Sequence, residues 1–196
     1  MLWRHTIRFA SLLAIVVAPG LALADNATLT LGTPAYGGAG CPDGSVTTLI
    51  SPDKQSFTLV FSAYALEVGG TQTPSDRVSC NLVIPVTVPA GLQISIEAID
   101  LLGSTDLPEG ADGIVTSEAF FSGGQGPNLA RPLKGPTADP VLIRNPPADT
   151  APAWSNCGTD VNLRLNSAIR LTTKPDKPAK ASITLANVYR LATKAC

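Results

Sequence analysis

Apolar residues recur at every second position along most of this chain, and no segment sustains an apolar stripe of helical period. Alternation of that kind is the signature of strands with one buried face, because successive side chains on a strand point to opposite sides. Phe57, Leu59 and Phe61 share one face of a run, with Thr58 and Ser62 on the other. Cys80, Leu82, Ile84, Val86 and Val88 do the same in the next, and Pro85 and Pro89 on the opposite register suggest an edge strand or a bulge there. Leu92, Ile94 and Ile96 oppose Gln93, Ser95 and Glu97, and Val115–Phe121 is a further strand. Many short strands separated by turn signals predict an all-β protein, a two-layer antiparallel β-sandwich.

The first two dozen residues have a different character. Arg4, His5 and Arg8 precede an apolar run from Phe9 to Val17, and Ala22-Leu23-Ala24 follows as a small-residue cleavage site. These are the three parts of a secretory signal, and the run is shorter than the roughly 20 residues a spanning helix needs. Residues 1–24 are therefore read as a signal peptide and 25–196 as a single secreted domain with no membrane span. The expected location is extracellular, or periplasm and envelope in a bacterium. Such a compartment is oxidising, so Cys41, Cys80, Cys157 and Cys196 are expected to form two disulfides. A zinc site would need close Cys pairs or His partners, and neither is present.

The turn Ser51-Pro52-Asp53-Lys54 joins Val46–Ile50 to the strand beginning at Phe57, a hairpin. From Gln125 to Ala153 the chain holds seven prolines and little periodicity, with Val141–Arg144 as one short strand, so this segment reads as functional or mobile. Near the C-terminus Val161, Leu163, Leu165, Ile169 and Leu171 alternate with polar residues, and Ile183, Leu185, Tyr189 and Leu191 alternate after the turn at Lys174–Pro178. If those two strands pair about that turn, residue numbers summing to about 353 face each other, which sets Cys157 opposite Cys196. Cys41 then pairs with Cys80.

An ordered series of short motifs resembles one known family. It begins with Gly38-Ala39-Gly40-Cys41-Pro42-Asp43-Gly44-Ser45, then Ser51-Pro52-Asp53 and Phe57-Thr58-Leu59-Val60-Phe61. Ser75-Asp76-Arg77 precedes Cys80, and Pro89–Leu92, Asp106–Gly110 and Phe120–Gly123 follow. Trp154-Ser155-Asn156-Cys157-Gly158, Arg170-Leu171 and the final Cys complete it. The order is similar to that of the secreted domain-of-unknown-function 4360 family of filamentous fungi and bacteria, from which this chain departs at Val78-Ser79. The resemblance implies a small exported β domain and supplies no activity.

Beyond the signal segment the chain has no histidine, so a Ser-His-Asp or Cys-His mechanism has no general base and His-ligated zinc or copper is excluded. The net charge without that segment is about −3, which gives no footprint for nucleic acid. Ser51 and Lys54 spell S-x-x-K, but a proline-containing turn between strands cannot set Lys beside Ser as a helix does. Asp106, Glu109 and Asp112 form an acidic loop that is a weak calcium candidate, with solvation the plainer reading. Tyr36, Tyr64 and Trp154 are left for a sugar platform, though a Trp near a disulfide ordinarily packs. Lys174, Lys177 and Lys180 read as a solvated hairpin tip, and Asn26-Ala27-Thr28 is a glycosylation sequon. No catalytic residue and no cofactor are assigned. The expectation is a non-catalytic surface or secreted binding module for an extracellular glycan or cell-surface component. The alternatives are a polysaccharide hydrolase using Glu97, Asp100 or Glu118, and a surface-assembly subunit whose Asn26–Leu31 strand joins a neighbour's sheet.

Overall fold

In the computed structural model the alternation becomes two antiparallel sheets, with no helix among the described residues. Residues 28–122, 124–144 and 153–196 are described, residues 181–186 through their backbone alone. The expected signal segment, Asn26 and Ala27 of the sequon, and the chain from 145 to 152 lie outside these. Twelve strands run in order among the described residues: β1 (Thr30–Leu31), β2 (Ala35–Gly37), β3 (Val46–Ile50), β4 (Ser56–Phe61), β5 (Ala65–Val68), β6 (Ser75–Thr87), β7 (Leu92–Asp106), β8 (Asp112–Phe121), β9 (Asn128–Lys134), β10 (Pro140–Arg144), β11 (Val161–Thr172) and β12 (Ala179–Ala195). The first sheet has the order β1-β6-β11-β8-β9, with β2 also on β6. The second has the order β10-β7-β12-β4-β3, with β5 also on β12.

The buried faces are those the alternation marks. Leu82, Ile84 and Val86 of β6, Leu163, Leu165, Ile169 and Leu171 of β11, and Val115 and Phe121 of β8 meet Phe57, Leu59 and Phe61 of β4 and Tyr189 and Leu191 of β12. Phe57 and Tyr189 are cross-strand partners and stack with ring centroids 4.9 Å apart. Such pairs add about 0.5–1.5 kcal/mol beyond the area they bury. Along β7 the alternation breaks at a bulge, where the register shifts between Ile96 and Ala98 and leaves Glu97 as the extra residue. Ile94 and Ile96 before it, and Ile99 and Leu101 after it, are therefore all buried.

Pro85 lies in an interior strand, between β1 with β2 on one side and β11 on the other. Its carbonyl accepts from Gly32 (2.7 Å), so its nitrogen faces the outer side, at the gap between β1 and β2 where no ladder donor is needed. The expectation of an edge strand is corrected: the proline sits where the neighbouring strand is interrupted.

Two further expectations are corrected. Besides the short strand expected at Val141–Arg144, which is present as β10, the segment 125–153 carries β9, because Pro132 lies in an edge strand and Pro140 opens another, both places where a missing donor is tolerated. The strands β11 and β12 do not pair as a hairpin. After the Lys174–Pro178 turn the chain crosses to the opposite sheet, where β12 pairs with β7, β4 and β5.

The disulfides are nevertheless Cys41–Cys80 and Cys157–Cys196. The second forms at the start of β7. Ser155 and Gly158 donate to Ile94 and Leu92 on one side of that strand, while the end of β12 pairs with Leu92 and Gln93 on the other. The two flanks meet beyond Leu92. At the first disulfide, Gly40 donates to the Ser79 carbonyl (2.9 Å) and sets Cys41 beside Cys80. A Cβ on Gly40 would run into the Tyr64 ring, so only glycine lets the chain pass there.

Candidate functional site

The outer face of the first sheet carries a groove whose shape follows from strand register. Asn81 (β6) is paired with Asn166 (β11), Asn166 with Glu118 (β8), and Glu118 with Asn128 (β9). Four neighbouring strands thus set four polar side chains in one row across the sheet, spaced by about 4.8 Å from strand to strand. The next outward-facing row is Ser79, Ala168, Thr116 and Ala130, all small. Beyond it stand Arg77 and Arg170. A line of short side chains between two lines of longer ones makes a trough of about 350 Å³, lined by Arg77, Asn81, Thr116, Glu118, Asn128, Ala130 and Asn166.

A second hollow, of about 460 Å³, shares Glu118 and Asn128 and is walled by Phe120 and the loop Gly124-Gln125-Gly126. The loop lies flat against β8 because the Ala119 N–H donates to Pro127 (3.0 Å) and because a Cβ on Gly126 would collide with the Ala119 carbonyl. Within the row, Asn166 Nδ2 donates to Glu118 Oε1 at 2.7 Å, which orients both groups. Arg164, in the row on the far side, donates through Nε to Ser122 Oγ at 3.1 Å.

The floor is supported from inside the sandwich. Tyr64 reaches from the link between β4 and β5 and donates its hydroxyl to Ser167 Oγ (3.0 Å), between Asn166 and Ala168 on β11. Burial pushes the Tyr64 hydroxyl up to about 12. That tyrosine is fully enclosed, so it is a core residue and no part of a sugar platform. Tyr36 is half-buried, its hydroxyl accepting from the Gly44 N–H (3.0 Å). Trp154 lies beside β7 in the other sheet, with the Lys194 ammonium 4.2 Å from its ring centroid. The three aromatics do not assemble.

The carboxylates separate as well. Glu118 faces out from the first sheet, whereas Glu97 and Asp100 belong to β7 in the second. Asp100 is ion-paired with Arg190, Oδ2 to Nη1 at 2.6 Å. Asp106, Glu109 and Asp112 are exposed around the β7–β8 connection, and among the described residues no group of three or more acidic, His or Cys side chains is placed to hold a metal. Ser51 and Lys54 form a turn: the Ser51 hydroxyl donates to Asp53 (2.6 Å), holding that carboxyl below its usual range, and Lys54 reaches Thr28 Oγ1 (3.2 Å). Leu29 is buried and Thr30–Leu31 pair with Val86–Thr87 of their own chain. No helix among the described residues is long and apolar enough to cross a membrane.

Of the groove, sequence reasoning singled out Glu118 and passed over Asn81, Asn128, Asn166 and Arg77. Their one signal is that they occupy the polar half of an alternating run, which every solvated strand face shares.

Comparison with known proteins adds three findings. An uncharacterized secreted protein of Arthroderma benhamiae is 35% identical over 151 residues, covering 76% of this chain, and the chain spans 61% of that relative's length. A solved structure, TmCBM61 in complex with β-1,4-galactotriose, aligns over 82% of this chain and 88% of its own at 11% identity, with a TM-score of 0.27, too low to argue from. The third is a family model matching residues 27–196, which takes in all four cysteines. The chain therefore belongs to the family described as domain of unknown function DUF4360.

Proposed function

We propose that this protein is a secreted, non-catalytic binding module that holds an extracellular or cell-surface glycan across the outer face of its first sheet. The observation that carries this reading is the transverse row Asn81–Asn166–Glu118–Asn128 beside a floor of small residues. Amide and carboxylate groups offer both donors and acceptors. A polyhydroxylated chain laid across the strands meets one such group at each strand spacing, and Phe120 adds an apolar surface at one end. Peptide recognition by helix or aromatic-lined groove would call for a deeper apolar channel than this floor provides. Among the described residues Glu118 is the sole carboxylate lining either hollow, whereas glycoside hydrolysis ordinarily uses two.

The test is a glycan array followed by titration of retained ligands. Asn166→Ala and Glu118→Gln are expected to weaken binding at least tenfold while melting like the parent. Failure to retain any glycan would sink the reading. So would release of new reducing ends that disappears in Glu118→Gln, which would make the protein a hydrolase.

A further inference from the structure

Arg77 on the wall of the groove, and Arg170 beside it, carry positive charge with no ion-pair partner among the described residues. Arg77 and Arg170 are directly opposite on adjacent strands, which brings their Cβ atoms to about 5 Å. Like charges in that relation repel. Both side chains are exposed, and neither guanidinium has an ion-pair or hydrogen-bond partner among the described residues. Asp76, the nearest acid in sequence, commits its Oδ1 to the Arg77 backbone N–H at 2.7 Å. The same face also holds Arg164 and Lys134, against Glu118 and Asp112 alone, although the chain as a whole is slightly acidic. Positive charge is thus concentrated beside the groove in a protein whose overall balance runs the other way.

Resting on the glycan reading, we propose that the ligand is an acidic polysaccharide. Its carboxylate or sulfate is held by Arg77 and Arg170, while its hydroxyls meet the Asn81–Asn166–Glu118–Asn128 row across the small floor. The guanidinium fork matches a two-oxygen anion, and an anion between two guanidiniums relieves their repulsion. Glu118 fixes the direction: it lies on the opposite wall and repels an anionic group placed there, so the charged substituent of the sugar seats at the arginine side.

The experiment titrates the whole chain with polygalacturonate, dextran sulfate and neutral xylan, at low and at high salt. Binding to an acidic polymer is expected, falling with salt and weakened at least tenfold by Arg77→Gln and by Arg170→Gln. Which acidic polymer binds tells carboxylate from sulfate. The double variant Lys54→Gln/Lys194→Gln, in the β3–β4 turn and on β12 of the second sheet, should bind like the parent. An equal loss in that lysine variant overturns the inference, since it would mean unspecific attraction to a polyanion. Unchanged affinity in both arginine variants overturns it too. Binding confined to xylan and sensitive to Asn166→Ala would overturn the acidic ligand and leave the glycan reading standing. Binding to none of the three polymers would overturn both.

Discussion

Replacing Cys41 and Cys80 by alanine in one variant, and Cys157 and Cys196 in another, makes a controlled comparison, because each crosslink spans a sequence separation of 39. In the chain-entropy account a loop of that size stabilises the fold by about 4 kcal/mol. Equal loops make that contribution cancel between the variants, along with most effects on the unfolded chain. What remains is packing. Cys41 and Cys80 are fully buried in the core, whereas Cys157 and Cys196 are exposed. Each buried sulfur removed leaves a methyl-sized void costing about 1–1.5 kcal/mol, so the first variant should lose about 2–3 kcal/mol more than the second. For a domain of this size that difference lowers Tm by roughly 5–10 °C. Guanidinium unfolding at fixed temperature, with slopes checked for agreement, reads the difference directly. Equal losses, or a larger loss from the exposed pair, would refute the reasoning that core packing separates the two staples.

Two further outcomes follow from buried polar groups. Burial pushes the Tyr64 and Tyr189 hydroxyls up to about 12 from an ordinary 10. A group whose folded value is raised contributes fully below its unfolded value, and the contribution disappears as pH rises toward the folded one. Stability should therefore hold to pH 10 and fall between pH 10 and about 12, by roughly 1.4 kcal/mol per pH unit for each tyrosine. Circular dichroism and the tyrosinate absorbance of Tyr64 and Tyr189 should change together in that window, and ionisation of either of these two near pH 10 in a protein still folded would contradict this. At the Asp100–Arg190 pair, Oδ1 of the mostly buried Asp100 has no partner among the described residues, while Arg190 is about half exposed. Arg190→Ala strands a buried carboxylate and should cost about 3 kcal/mol. Asp100→Ala leaves a hydrated guanidinium and should cost about 1 kcal/mol, so urea midpoints falling in the reverse order would be the contrary result.

The parts of the fold legible in the sequence are those set by nearest neighbours along the chain. The Ser51–Lys54 turn identifies the β3–β4 hairpin, and the apolar positions of β4, β6, β8 and β11 identify the buried faces. Alternation says that a strand has an inner face and is silent on which of two sheets holds it. For that reason β11 and β12 looked like partners, although the turn after Thr173 carries the chain across the sandwich. The pairing of Cys157 with Cys196 came out correctly from a hairpin that does not exist, since both residues converge on the first residues of β7. Pro132 hid β9, whereas the strand at Val141–Arg144 was legible behind Pro140, because edge positions tolerate what interior ones do not. Glu118 stood out in the sequence as a carboxylate, whereas Asn81, Asn128 and Asn166 become a site only when register aligns four strands that are far apart in the chain.

Neither sheet is built from one stretch of sequence, and the central strand of each, β11 in one and β12 in the other, comes from residues 161–195. Until residues 161–195 arrive, β6 and β8 have no common neighbour, and neither do β4 and β7. A polypeptide emerging N-terminus first therefore cannot close either layer early. It stays open until residues 161–195 have emerged, and they then lock both halves at once. Such a chain can be threaded through a narrow channel without a folded obstacle, and it has the least protection from aggregation just before that stretch arrives.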